Sequence, residues 1–202
     1  LTSAILTVTT QGEQRVAFTA GHSEDAPQAL KDLVSDNTYT VNQVVLGVEP
    51  LADTTVTVVI AGPKRDFSQQ ELQILDEFMD RGGNLLVFRD PTVADLPNLD
   101  GYLASWGIEV TDQVVLEPSQ QMGSPLNIIP SFGMSMINVF YSETSTYLVF
   151  PECRALTLSS PNGCLTNAVL RSTSSAYGKA FDSMTTLNQT DGDSAGPFTV
   201  AA

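Results

Sequence analysis

The chain has 202 residues, 42% of them hydrophobic, with a formal net charge of −14 and a mean hydropathy of +0.04. A chain of this size buries roughly 70% of its unfolded surface without help from a metal or disulfide scaffold, and this balance excludes a disordered tail. A polyanion of this strength repels phosphate backbones and anionic lipid, which argues against nucleic acid as a partner.

The first dozen residues, with Ala4, Ile5 and Val8 on one side, read as a short helix or arm. Residues 15–19 read as a strand that runs into the loop Gly21-His22-Ser23-Glu24. A helix is expected over 26–36, because Ala26, Ala29, Leu30, Leu33 and Val34 recur at the spacing of one buried stripe. Asp25 is placed to cap it and Pro27 suits its first turn. Residues 39–46 form a second strand whose partial alternation places it near a sheet edge. The unbroken β-branched run 56–60 predicts a strand covered on both faces, stopped by Ala61-Gly62-Pro63.

The next helix begins with a capping box, Ser68 as N-cap and Glu71 three residues on, and ends at Gly82-Gly83. Its apolar face is Leu72, Leu75, Phe78 and Met79. Residues 85–88 predict a second fully apolar strand, stopped by Asp90-Pro91, and a helix over 98–106 ends at Gly107. Residues 114–116 follow as another strand. Repeated βα units of this length imply an α/β fold with a mostly parallel sheet and helices on both faces, in three layers.

From Pro118 the periodicity fails, and only short runs at 146–150, 155–158 and 168–170 look like strands. The expectation is one domain over 1–202: a βα core at 15–116 and an irregular, β-containing elaboration at 117–202 that packs back on the sheet. The longest uncharged stretch, between Glu117 and Glu143, holds Pro118, Pro125 and Pro130 and is not a bilayer span. There is no leader-like start, and the abrupt ends read as an excised piece of a longer protein.

In an open parallel sheet, ligands bind outside the carboxyl ends of the strands where strand order reverses. For a flavodoxin-like order, that point brings together His22 and Glu24 with Gly62, Pro63, Lys64 and Arg65, and Asp90 from the following loop. His22 there is either a general base or an organiser of its own loop. Glu24 and Asp25 could join it on a metal, or simply compensate a helix dipole. The same alternatives hold for Lys64 and Arg65: an anion site at a helix start, or two exposed cations. The turn after residue 60 has neither Ser nor Cys, so a nucleophile elbow is absent. No glycine pattern for a nucleotide occurs either, so no cofactor is expected. One His and two Cys are too few for a multi-ligand His/Cys centre.

Several phrases in order resemble the extracytoplasmic domain of gliding-motility-type (GldG-like) ABC-transporter auxiliary proteins. They are 16–24, 59–63 with Phe67-Ser68 and Glu71, 81–88, Asp90-Pro91, 106–108, 172–175 and 193–201. The resemblance implies a fold similar to class I glutamine amidotransferase-like domains, without their catalytic cysteine. It also implies flanking transmembrane helices outside this sequence, with an ABC permease and ATPase as partners. On that footing the chain is expected to be a non-enzymatic accessory or ligand-binding domain. The competing expectation is a hydrolase or carbohydrate-active enzyme using His22 with Asp90 or Glu24. In an extracytoplasmic setting Cys153 and Cys164, ten residues apart among turn formers, are candidates for a disulfide.

Overall fold

The computed structural model describes residues 12–92, 95–133, 135–138 and 147–202. The arm expected over the first dozen residues and the start of the run at 146–150 lie outside the described residues. The chain divides into two compact units, Leu1–Leu99 and Asp100–Ala202, and each is described by itself.

The first unit is built on four parallel strands, β1 (Arg15–Thr19), β2 (Thr40–Val44), β3 (Thr55–Ala61) and β4 (Asn84–Phe88), in the order β2-β1-β3-β4. Helix α1 (Gln28–Asp36) links β1 to β2, and α2 (Gln69–Asp80) links β3 to β4. Because one connection runs outward to the left of the sheet and the other to the right, right-handed crossovers set the two helices on opposite faces. Ala26, Leu30 and Val34 cover Val16, Phe18, Val59 and Ala61. The residues of the other face, Ala17, Val58 and Ile60, are wholly buried, as are Leu72, Leu75 and Phe78 on α2.

Three local readings need correction. Asp25 does not cap α1: Pro27 occupies the N-cap position with no side-chain bond. The backbone of Asp25 is tied instead to the carbonyl of Ala61 at 3.0 Å. Leu33 is solvent-exposed, so the buried stripe of α1 is narrower than its spacing implied. Strand β4 is not covered on both faces. It is the sheet's edge, its burial alternates, and Leu86 and Phe88 are exposed by about 40%. The capping box, in contrast, is present in full, and β2 lies at the opposite edge as its alternation suggested.

Helix α3 (Pro97–Ser105) leads straight into β5 (Ile108–Leu116) through Gly107. A Cβ on Gly107 would lie 2.3 Å from the Ser159 carbonyl oxygen, so no larger residue fits this turn. The expectation that β5 extends the parallel sheet fails. It pairs antiparallel with β9 (Arg154–Leu158) and β11 (Tyr177–Ala180). The Thr111 hydroxyl donates to the Ala155 carbonyl at 2.8 Å across the register shift between Val110 and Val114.

These three belong to a seven-stranded sheet that includes β7 (Ser131–Phe132), β10 (Leu170–Arg171), β12 (Ser194–Ala195) and β13 (Thr199–Ala201). Its order is β12-β11-β5-β9-β13-β10-β7, and a separate two-stranded antiparallel sheet pairs β6 (Asn127–Ile128) with β8 (Phe150–Pro151). The βα core therefore stops well short of residue 116, and the remainder has a sheet of its own.

The core of that second unit gathers Val115, Ile128, Cys153, Ala155, Leu170, Ala176 and Val200. The expected disulfide is absent: Cys153 and Cys164 are both free. The physical reason is that Cys153 faces the core, where burial pushes its thiol up to about 12, while Cys164 follows a 3-10 turn at the surface. Thiol titration of the unreduced chain in denaturant is expected to give two thiols, with Cys153 unreactive until unfolding. A value near zero would restore the bridge.

Candidate functional site

The loop after β1 is shaped by two left-handed residues, Gly21 at φ 117° and Ser23 at φ 59°. Such a conformation is routine for glycine and uncommon for serine. Between them His22 turns inward and is 7% exposed. Its ring stacks on Phe67 with centroids 3.8 Å apart and planes 14° from parallel. Nδ1 lies 3.3 Å from Glu24 Oε1 and Nε2 lies 3.2 Å from Glu71 Oε1. The His22 backbone N–H donates to Glu24 Oε2 at 2.7 Å. Its carbonyl accepts from the N–H groups of Lys64 at 2.8 Å and Arg65 at 3.1 Å. One residue thus ties together the loops that follow β1 and β3.

Glu71 serves two structures at once. Oε2 accepts from the Ser68 N–H at 2.8 Å and the Ser68 hydroxyl at 2.7 Å, closing the capping box, while Oε1 faces His22. Burial pushes its carboxyl up, but the two Ser68 bonds and the facing imidazole outweigh this and hold it below the usual carboxylate value. Beside it Asp66 accepts from its neighbour's N–H on Phe67 at 2.9 Å. It also accepts from the N–H groups of Asn98 at 2.9 Å and Leu99 at 3.1 Å, capping α3 from a distance. The Asn98 amide returns a bond to the Phe67 carbonyl at 2.8 Å.

The residues expected to converge do so in two separate groups. His22 and Glu24 are together, joined by Glu71 and Phe67. Gly62 donates its N–H to the Phe88 carbonyl at 2.8 Å, and Pro63 is fully buried. Lys64 and Arg65 are exposed. Asp90 accepts from the Thr92 N–H at 2.8 Å and hydroxyl at 2.6 Å. Burial pushes the Asp90 carboxyl up, but the Thr92 bonds and the charges of Lys64 and Arg89 hold it below its usual value. Lys64 therefore acts on Asp90. Among the described residues no group of three or more His, Cys, Asp or Glu side chains could hold a metal ion.

Beside this knot lies a cleft of about 310 Å³ at the carboxyl end of β1, lined by Gly21, Ser23, Glu24, Asp25, Lys31 and Gln43 among others. It falls where strand order reverses, since β1 is flanked by β2 on one side and β3 on the other. Sequence reasoning placed a crevice at the carboxyl ends of β1 and β3, whereas this cleft lies at the end of β1 and includes Gln43 of β2. It missed Lys31 and Gln43 as lining residues, because helix and strand periodicity says nothing about which side chains reach a loop. It read Glu71 as a cap alone.

The second unit has one polar centre that the sequence did not announce. Glu117 is fully buried. Its Oε1 accepts from the Ser119 hydroxyl at 2.7 Å, the Ser119 N–H at 3.0 Å and the Thr173 hydroxyl at 3.0 Å, and Oε2 accepts from the Thr173 N–H at 2.9 Å. Ser175 Oγ closes the ring, 2.6 Å from Ser119 Oγ and 2.7 Å from Thr173 Oγ1. Burial alone pushes this carboxyl up, yet the bonds from Ser119 and Thr173 outweigh it and take it down to about 2. A carboxylate so well satisfied is a weak base. Its work is to pin the segment after β5 to the segment after β10.

Three comparisons bear on identity. A family model described as an ABC-type uncharacterized transport system matches residues 13–146. No curated protein matches the chain. Among solved structures, one titled "mmIFT52 N-terminal domain" superposes with a TM-score of 0.64 at 19% identity, covering 81% of this chain and 75% of that one. At that identity the likeness is one of fold alone. No helix among the described residues is long and apolar enough to cross a membrane.

Proposed function

We propose, from the premise that the chain belongs to the family of ABC-type uncharacterized transport systems and is an auxiliary component of such a system, that it is a non-enzymatic, ligand-holding domain. In this reading it stands on the extracytoplasmic face of the membrane and works with an ABC permease and ATPase. The three-layer, flavodoxin-like and amidotransferase-like ancestry belongs to the same proposal. It is supported by the strand order β2-β1-β3-β4 and by the absence of Ser or Cys from the turn after β3.

The observation that carries the reading is the state of His22. A general base needs a ring nitrogen free to take a proton from its substrate. Both nitrogens of the chain's single imidazole face carboxylate oxygens, and its ring face is covered by Phe67. The residue organises two loops and leaves the adjacent cleft to binding.

The test is a broad ester, amide and glycoside hydrolysis screen of the native protein beside His22→Gln, with metal analysis of both. No turnover and no stoichiometric metal are expected in either. A turnover present in the native protein and lost in His22→Gln overturns the reading in favour of hydrolysis by His22 with Asp90 or Glu24.

A further inference from the structure

The polar groups near the carboxyl ends of β1 and β3 are almost all spent on the protein itself. Glu24 is used by His22, Glu71 by Ser68 and His22, Asp66 by α3, and Asp90 by Thr92. The exceptions are the exposed Lys64 and Arg65 after β3 and, at the end of β1, Lys31 and Asp25. The latter two line the cleft at the end of β1. Among the described residues Lys31 forms no ion pair, and its ammonium has only the Phe18 ring, 5.7 Å away. The Asp25 carboxylate likewise accepts no hydrogen bond among them, since only its backbone N–H is engaged. The side-chain amide of Gln43, which also lines the cleft, is likewise unspent among the described residues.

A cation and an anion that share one cleft without pairing present opposite poles to whatever enters it. Each pole also selects by repulsion. A simple anion drawn to Lys31 meets Asp25 and Glu24, and a simple cation drawn to Asp25 meets Lys31. A molecule carrying both charges satisfies both groups, with the Gln43 amide able to donate to its carboxylate. A volume of about 310 Å³ lies at the small end of ligand pockets, which suits a molecule of amino-acid size.

We propose that this cleft binds a small zwitterion, its carboxylate toward Lys31 and Gln43 and its ammonium toward Asp25. The proposal rests on the ligand-holding reading above and gives that ligand a chemical class. Ser23, strained into the left-handed region, and Gly21 hold the loop so that Glu24 turns back to His22 and leaves Asp25 as the acidic pole.

The experiment is calorimetric titration of the native protein with glycine, β-alanine and γ-aminobutyrate, which space the two charges differently, and with propionate and propylamine as single-charge controls. Thermal melts verify that Lys31→Met and Asp25→Asn remain folded. The expected result is binding of one spacing, with both controls and both variants weaker by about tenfold or more. Propionate binding as tightly as the zwitterion, or binding indifferent to Lys31→Met, overturns the proposal. If no zwitterion binds but a chemically broad thermal-shift screen finds another ligand sensitive to Lys31→Met, the assigned class falls and the ligand-holding reading stands. If neither screen yields a ligand, both fall.

Discussion

Glu117→Ala is expected to be the most damaging single substitution outside the apolar cores, costing about 3–4 kcal/mol of stability. The cost comes less from lost attraction than from what remains. The N–H groups of Ser119 and Thr173 and the hydroxyls of Ser119, Thr173 and Ser175 lose the acceptor around which they are arranged.

The same centre predicts a pH dependence. Folding lowers the Glu117 carboxyl from its ordinary 4.5 to about 2. Its contribution is therefore complete above the ordinary value and disappears as pH falls through the folded one, a linkage of about 3 kcal/mol. Urea midpoints measured at neutral and acidic pH should show the native protein losing stability across that window. Glu117→Gln should start lower and lose less. Equal acid sensitivity in the two proteins would remove Glu117 as the source.

His22→Ala is expected to cost about 2–4 kcal/mol, measured as a fall in the urea midpoint without a change in slope. It removes the stack on Phe67 and leaves the carboxylates of Glu24 and Glu71 facing one another across the space of the ring. Because Glu71 also completes the capping box, the start of α2 should lose protection against hydrogen exchange before the middle of the helix does. His22→Gln, which keeps a polar side chain of similar reach, should recover part of the loss. If His22→Ala leaves the midpoint unchanged, the ring is not the tie between the two loops.

Features whose cause is local were legible in the sequence. The capping box at Ser68 and Glu71 needs only the next turn of chain, and the β-branched run that forms β3 declares itself by composition. The edge position of β2 followed from its own alternation. What failed was partner choice. Asn84-Leu85-Leu86-Val87-Phe88 has the composition of a covered strand, and nothing within it tells that, among the described residues, it lies at the edge of its sheet. The stretch from Ile108 to Leu116 is plainly a strand, but whether its neighbour runs parallel is decided by residues 154–158 and 177–180.

Glu117 was invisible for the same reason: its hydroxyl partners Thr173 and Ser175 lie 56 and 58 residues away. The site was half legible. The end of β1 was named from the sequence, and His22 and Glu24 do meet there. The groups facing the cleft, however, include Lys31 and Gln43, whose arrival depends on how α1 and β2 return to β1.

Asp66 gives α3 an acceptor drawn from another part of the chain, its bonds to the N–H groups of Asn98 and Leu99 crossing 32 and 33 positions. That helix is consequently conditional. Cut out as a peptide, it loses that acceptor. In a lineage that drifts, position 66 is confined to short acceptors such as Asp, Asn or Ser for as long as a helix starts at 97. The two positions should be inherited as a pair, each silent about its purpose when read alone.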